Sequence, residues 1–124
     1  MAKITLGKPP KTFAPVVVTF QMPDKTEGSI ECVFKYRTRR QFGEFLAGTF
    51  DSKADATKDL DFAALIGVAV DKNGAYLTEV LDSWNLDEKL SPETAAQLAD
   101  EVPAAAAAIM AAYSAAVTEG RLGN

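Results

Sequence analysis

The sequence predicts an α+β domain in which an N-terminal antiparallel β-hairpin, of two or three strands, packs against about four α-helices. Three observations lead there. Apolar residues alternate through Val16–Met22 and again through Ile30–Tyr36. From Thr38 onward the apolar spacing changes to that of a helix. Two helix starts, at Thr38 and at Ser91, can be read residue by residue. With 124 residues, the chain is expected to form one domain, since a chain of this length buries roughly two-thirds of its unfolded surface. Residues 1–37 are the hairpin region and residues 38–124 the helical region, with a loop at residues 51–61.

In the first strand Val16, Val18, Phe20 and Met22 alternate with Val17, Thr19 and Gln21. After a Pro23–Gly28 turn the second strand places Ile30, Cys32, Phe34 and Tyr36 on one face. Ser29, Glu31, Lys35 and Arg37 fall on the other, which is expected to be wet. A further short strand is expected at Lys3–Leu6, with Ile4 and Leu6 facing inward. A bare hairpin is marginal in water, so helices must cover its apolar face.

Thr38-Arg39-Arg40-Gln41 matches a capping box, in which Thr38 and Gln41 each bond the other's backbone amide. Phe42, Phe45, Leu46, Thr49 and Phe50 then follow helical spacing. The Asp51–Asp61 stretch, made of Asp, Ser, Lys, Ala and Thr with one Leu60, reads as a solvated loop. Residues Phe62–Leu81 keep one apolar helical face, through Leu65, Ile66, Ala69, Tyr76, Leu77 and Val80. The Asn73-Gly74 pair inside it imitates a hairpin turn, but the face is in phase on both sides, which favours helix. Ser91 is a preferred N-cap, Pro92 fits the first helical position, and Glu93 puts negative charge where the dipole favours it. That helix ends before Pro103. A last helix runs from Pro103 to about Glu119, with Ile109, Met110, Tyr113 and Val117 as its buried stripe and Gly120 as its terminator.

Composition narrows the function classes. The formal charge is −4, whereas a duplex-binding domain concentrates Lys and Arg, so no nucleic acid partner is expected. Histidine is absent, which removes the commonest general base and metal ligand together. No catalytic residue, cofactor site or metal site is read, and no enzyme is expected. The single Cys32 has no internal partner and sits on the inward face of a strand, where a thiol behaves as a small hydrophobe. Pro9, Pro10, Lys11 and Pro15 interrupt the first twenty residues, so no signal peptide is expected there. The Ala104–Ala108 run is too short to span a bilayer, so no membrane partner is expected either. A reducing cytoplasm is the expected setting.

Two features are candidates for partner binding. Arg37, Arg39 and Arg40 form a basic cluster, and Arg39 and Arg40 stand in the first turn of a helix, where positive charge opposes the dipole. Local rules broken in this way often mark functional positions, although pairing with acids of the same domain would account for the cluster as well. Trp84, after the long helix, is either an exposed hot spot or a cap on the core at a helix–helix corner. Asp82, Asp87, Glu88, Asp100 and Glu101 match no calcium loop and read as solvated surface.

Several segments together resemble one family. They are Met1-Ala2-Lys3-Ile4-Thr5-Leu6-Gly7-Lys8, Phe34-Lys35-Tyr36-Arg37-Thr38-Arg39-Arg40-Gln41-Phe42, and Tyr76-Leu77 with Val80 through Asp87. Ser91-Pro92-Glu93 with Leu98–Pro103, and the ending from Ala107 to Asn124, complete the set. In their order these are similar to small tail assembly chaperones of tailed phages and prophages. The resemblance implies a non-enzymatic protein of the host bacterial cytoplasm. It implies binding to the tape measure protein, help in recruiting tail tube protein, and an open question of homo-oligomer formation. It supplies no catalytic residue. A small structural tail or connector protein retained in the virion is the alternative.

Overall fold

The computed structural model describes residues 4–49 and 62–122. Among these, three strands and four helices follow in the order β1 (Val16–Gln21), β2 (Glu27–Phe34), α1 (Arg39–Thr49), α2 (Phe62–Val80), β3 (Leu81–Trp84), α3 (Pro92–Glu101) and α4 (Pro103–Glu119). The expected α+β class is therefore observed. Lys3, Phe50, the 51–61 loop and the last two residues lie outside the described residues.

β1 and β2 pair antiparallel, from Val16 opposite Cys32 to Gln21 opposite Glu27. The turn is closed by the Met22 amide donating to the Thr26 carbonyl (2.8 Å) and the Lys25 amide donating to the Met22 carbonyl (2.9 Å). The third strand is not the one expected at Lys3–Leu6. Of that segment the described residues form no strand and turn at Leu6–Gly7, and Ile4 and Leu6 are 86% and 89% exposed rather than inward. The far side of β2 is instead covered by Leu81–Trp84, a stretch that the sequence pattern places at the end of α2 and in the connection after it. β3 pairs antiparallel with β2, Cys32 opposite Trp84 and Phe34 opposite Leu81, with an irregularity between Val33 and Phe34. The physical reason is that β2 has two edges whose amides and carbonyls both need partners. Asn85 extends that ladder: its Oδ1 accepts from the Glu31 amide (2.8 Å), and its own amide donates to the Glu31 carbonyl (3.2 Å).

Two helices, α1 and α3, start where the local chemistry says they should. The Thr38 amide donates to Gln41 Oε1 (2.9 Å) and the Gln41 amide to Thr38 Oγ1 (3.2 Å), completing the capping box at α1. At α3 the Thr94 amide donates to Ser91 Oγ and the Ser91 amide to Thr94 Oγ1. Thr94 therefore closes a box that Pro92 and Glu93 alone did not reveal. α2 is a single helix through Asn73-Gly74, and Gly74 is there for closeness. A Cβ on it would lie 2.8 Å from the Cα of Ala96 in α3, and α2 and α3 share the most extensive contact between elements. α3 and α4 meet at Val102 with a bend of 114°, and among the described residues no single helix is long and apolar enough to cross a bilayer. Gly120 ends α4 in the left-handed region (φ 69°), its amide held by the α4 carbonyls.

The core lies between the inward face of the sheet and the helices. Val16, Val18, Ile30, Cys32 and Phe34 meet Phe42 of α1, Tyr76, Leu77 and Val80 of α2, Ala95 and Ala99 of α3, and Ile109, Tyr113 and Val117 of α4. Burial of this apolar set is the main stabilising term.

Candidate protein-binding site

The three arginines of the basic cluster have different surroundings. Arg37 was expected on the wet face of the hairpin, but it is tucked in, its side chain only 18% exposed. Its Nη1 donates to the Glu79 carbonyl (3.1 Å) and to Tyr113 Oη (3.0 Å), and its guanidinium lies 4.4 Å above the Phe45 ring. Tyr113 in turn donates to the Lys35 carbonyl (3.1 Å) and is ringed by Phe13, Phe34 and Phe42 at 5.2–6.3 Å. Arg37 thus ties the end of β2 to α2 and α4. Sequence inspection missed this clasp because Arg37 and Tyr113 are 76 residues apart.

Arg39 and Arg40 are exposed on the first turn of α1, which carries no acid. They line one side of an open groove with Phe13, Tyr36 and the C-terminal turn of α4 around Val117 and Gly120, about 510 Å³ in volume. Among the described residues neither arginine makes an ion pair.

Trp84 is elsewhere, at the end of β3, and half-buried. Its Nε1 donates to the Glu88 carbonyl (2.7 Å), so the polar end of the ring is anchored and part of its apolar face is left open. Beside it runs a groove of about 120 Å³ walled by Trp84, Leu86, Leu98 and Val102, with Glu88 and Glu101 at its sides. Both carboxylates are exposed, and Gln97 Nε2 donates to Glu101 Oε2 (2.8 Å). An apolar slot with carboxylates beside it suits an apolar side chain flanked by Lys or Arg.

Cys32 is fully buried, and burial, reinforced by the charge of Glu31, pushes its thiol up to about 12, so it is protonated and shielded. Burial likewise pushes Tyr76 up to about 12, with Tyr113 adding to the effect and Arg37 opposing it. Among the described residues no three carboxylates or cysteines gather to hold a metal ion.

Both grooves are open to solvent. A family model described as phage tail assembly chaperone matches residues 1–124. The chain belongs to that family. Neither a curated protein nor a solved structure matches it. The family points to protein partners in tail assembly, and the Trp84 groove and the Arg39–Arg40 face are two exposed surfaces of opposite charge.

Proposed function

We propose that this chaperone works in the host bacterial cytoplasm, without catalysis, by binding apolar helical segments of the tape measure protein and helping to bring tail tube protein to them. It also associates with itself. The observation that carries this reading is the family match over the whole chain. The Trp84 groove supports it, because an amphipathic helix can lay one apolar side chain between Trp84 and Leu98 with its basic residues beside Glu88 and Glu101. Arg39 and Arg40 offer a separate contact for an acidic stretch.

Co-expression with the tape measure protein tests the reading. The expected result is that the tape measure protein stays soluble and co-purifies with the chain. Binding should also shift the emission of Trp84, the only tryptophan of the chain. Failure to rescue solubility together with no co-purification overturns the reading. Stoichiometric recovery of the chain from finished virions overturns it in favour of a structural tail component.

A further inference from the structure

We infer that copies of this chain link head to tail, the N-terminal Ile4–Leu6 segment of one copy adding as a strand to the open edge of β1 in the next. The inference rests on the self-association in the reading above, and not on which foreign protein is bound.

The acceptor is the outer edge of β1, which lies at one margin of the sheet and has no strand beside it among the described residues. The Met22 amide reaches across the hairpin to Thr26, and in an antiparallel ladder backbone groups alternate in direction. The even residues of β1 therefore face β2, and Val17, Thr19 and Gln21 present their amides and carbonyls outward. Edge strands are usually guarded by a charge, a proline or a bulge, yet Val16–Gln21 contains none of these. Val17 is left 59% exposed. Along this edge runs a groove of about 310 Å³ whose other wall is α4, through Ala108, Ala111, Ala112 and Ala115, with Arg121 beyond the end of α4 supplying its one charged side chain. Alanines leave room for the side chains of an added strand.

The donor is the segment whose alternation predicted a strand. Ile4 and Leu6 share one face of an extended chain, and at 86% and 89% they are the two most exposed of the large exposed hydrophobic residues described. Laid along β1, that face turns toward the alanines of α4, while Thr5 points to solvent. A copy cannot fill its own edge in this way. The Tyr36 amide donates to the Lys11 carbonyl and the Phe13 amide to the Phe34 carbonyl, so residues 11–13 already continue the line of β1 along β2. A chain reversing at residues 7–10 would bring Ile4–Leu6 beside residues 11–13, short of Val17–Gln21. The occupant is then a second copy, and such a contact is heterologous: each copy keeps one free segment and one free edge, so the assembly grows.

The test uses the full chain and two kinds of variant. Ile4→Asp with Leu6→Asp disables the donor; both side chains are exposed, so the fold should be unaffected. Thr19→Pro disables the acceptor by removing an outward amide, and Val17→Lys does so by adding a guarding charge should the proline disturb the strand. Light-scattering masses are expected to rise with concentration for the unaltered chain, in multiples of 13.2 kDa, and to stay at one copy for each variant alone. Mixing a donor variant with an acceptor variant should restore a single one-to-one pair and no larger species. Amide exchange at Val17, Thr19 and Gln21 should slow in the assembly. A monomer at all concentrations overturns the inference, and so does undiminished assembly by the donor variant, which would mean that β1 pairs in some other way. Co-expression of the donor variant with the tape measure protein keeps the two readings apart, since solubility rescue without self-association overturns only this one.

Discussion

Tyr113 and Trp84 are both aromatic residues whose polar end donates to a backbone carbonyl, Tyr113 to Lys35 and Trp84 to Glu88. Their surroundings differ. Tyr113 reaches a carbonyl 78 residues away, is fully buried, and has Phe13, Phe34, Phe42 and Arg37 around it. Trp84 reaches a carbonyl four residues away, remains half-buried, and borders an open groove. The first closes the fold across its longest sequence separations. The second ties down its own loop and packs part of its ring against the core, while the rest of the ring borders the groove.

That contrast gives the largest prediction. Tyr113→Ala should cost about 3–5 kcal/mol of unfolding free energy, as large aromatic deletions from a packed core do, measured by urea denaturation. Trp84→Ala should cost less than half as much and should instead weaken capture of the tape measure protein. Equal stability losses would erase the distinction. Arg37 belongs to the Tyr113 region, and its replacement by alanine should cost about 2–3 kcal/mol through two lost hydrogen bonds and the stacked Phe45 contact. Glu79→Gln should be nearly neutral, because the Glu79 side chain is 63% exposed at 3.6 Å from the guanidinium and such pairs contribute under about 1 kcal/mol. A large Glu79→Gln effect would move the clasp from hydrogen bonding to charge.

The α2–α3 seam offers a sharper pair. Gly74→Ala brings a Cβ to 2.8 Å from Ala96, and overpacking of that kind costs about 1–3 kcal/mol, against about 1 kcal/mol gained in helix propensity. Gly67→Ala meets nothing within 4 Å and should gain about 0.5–1 kcal/mol. Opposite signs in one helix are the expected outcome, read as opposite shifts in Tm.

Alkaline pH probes the same core. Burial holds the folded Cys32 thiol near 12, against an ordinary value of 9.0. The folded chain therefore keeps a proton that the unfolded chain loses, and stability falls as pH rises from 9 toward 12. Tyr76 and Tyr113, both pushed above 10.0 by burial, add to the fall at its upper end. In Cys32→Val the decline should begin later, near the tyrosine range, and a pH series of thermal melts reads the difference.

What was legible in the sequence was local. Thr38 with Gln41, Ser91 with Pro92, and Gly120 each act within five residues, so the starts of α1 and α3 and the end of α4 follow from short-range chemistry. The apolar phase across Asn73-Gly74 was enough to favour helix over hairpin. β3 was not legible, because Leu81-Asp82-Ser83-Trp84 is too short to show a period and is a strand only because β2 had an unpaired edge. With no period in Leu81–Trp84, the alternation at Lys3–Leu6 stands as the sequence's candidate for a third strand. At the candidate surfaces, the residue types drew attention to Arg37, Arg39, Arg40 and Trp84. Which of them is engaged inside the domain depended on Tyr113 and Glu79, far along the chain.

The smallest effect separates the arginines from one another. Arg39 and Arg40 stand on the first turn of α1, where the free amides already carry positive potential and no acid offsets it. Replacing both with glutamine removes two like charges from that end and keeps side chains of good helix propensity. Stability should rise by a few tenths to about 1 kcal/mol, visible as a small increase in Tm that fades in high salt. A loss instead of a gain would place these arginines, like Arg37, among the groups that hold the domain together. A gain accompanied by weaker capture of tape measure or tail tube protein would mean that the chain keeps an unfavourable local charge for the sake of contact. A gain with capture unchanged removes the Arg39–Arg40 face from the binding surface and leaves the Trp84 groove to account for it.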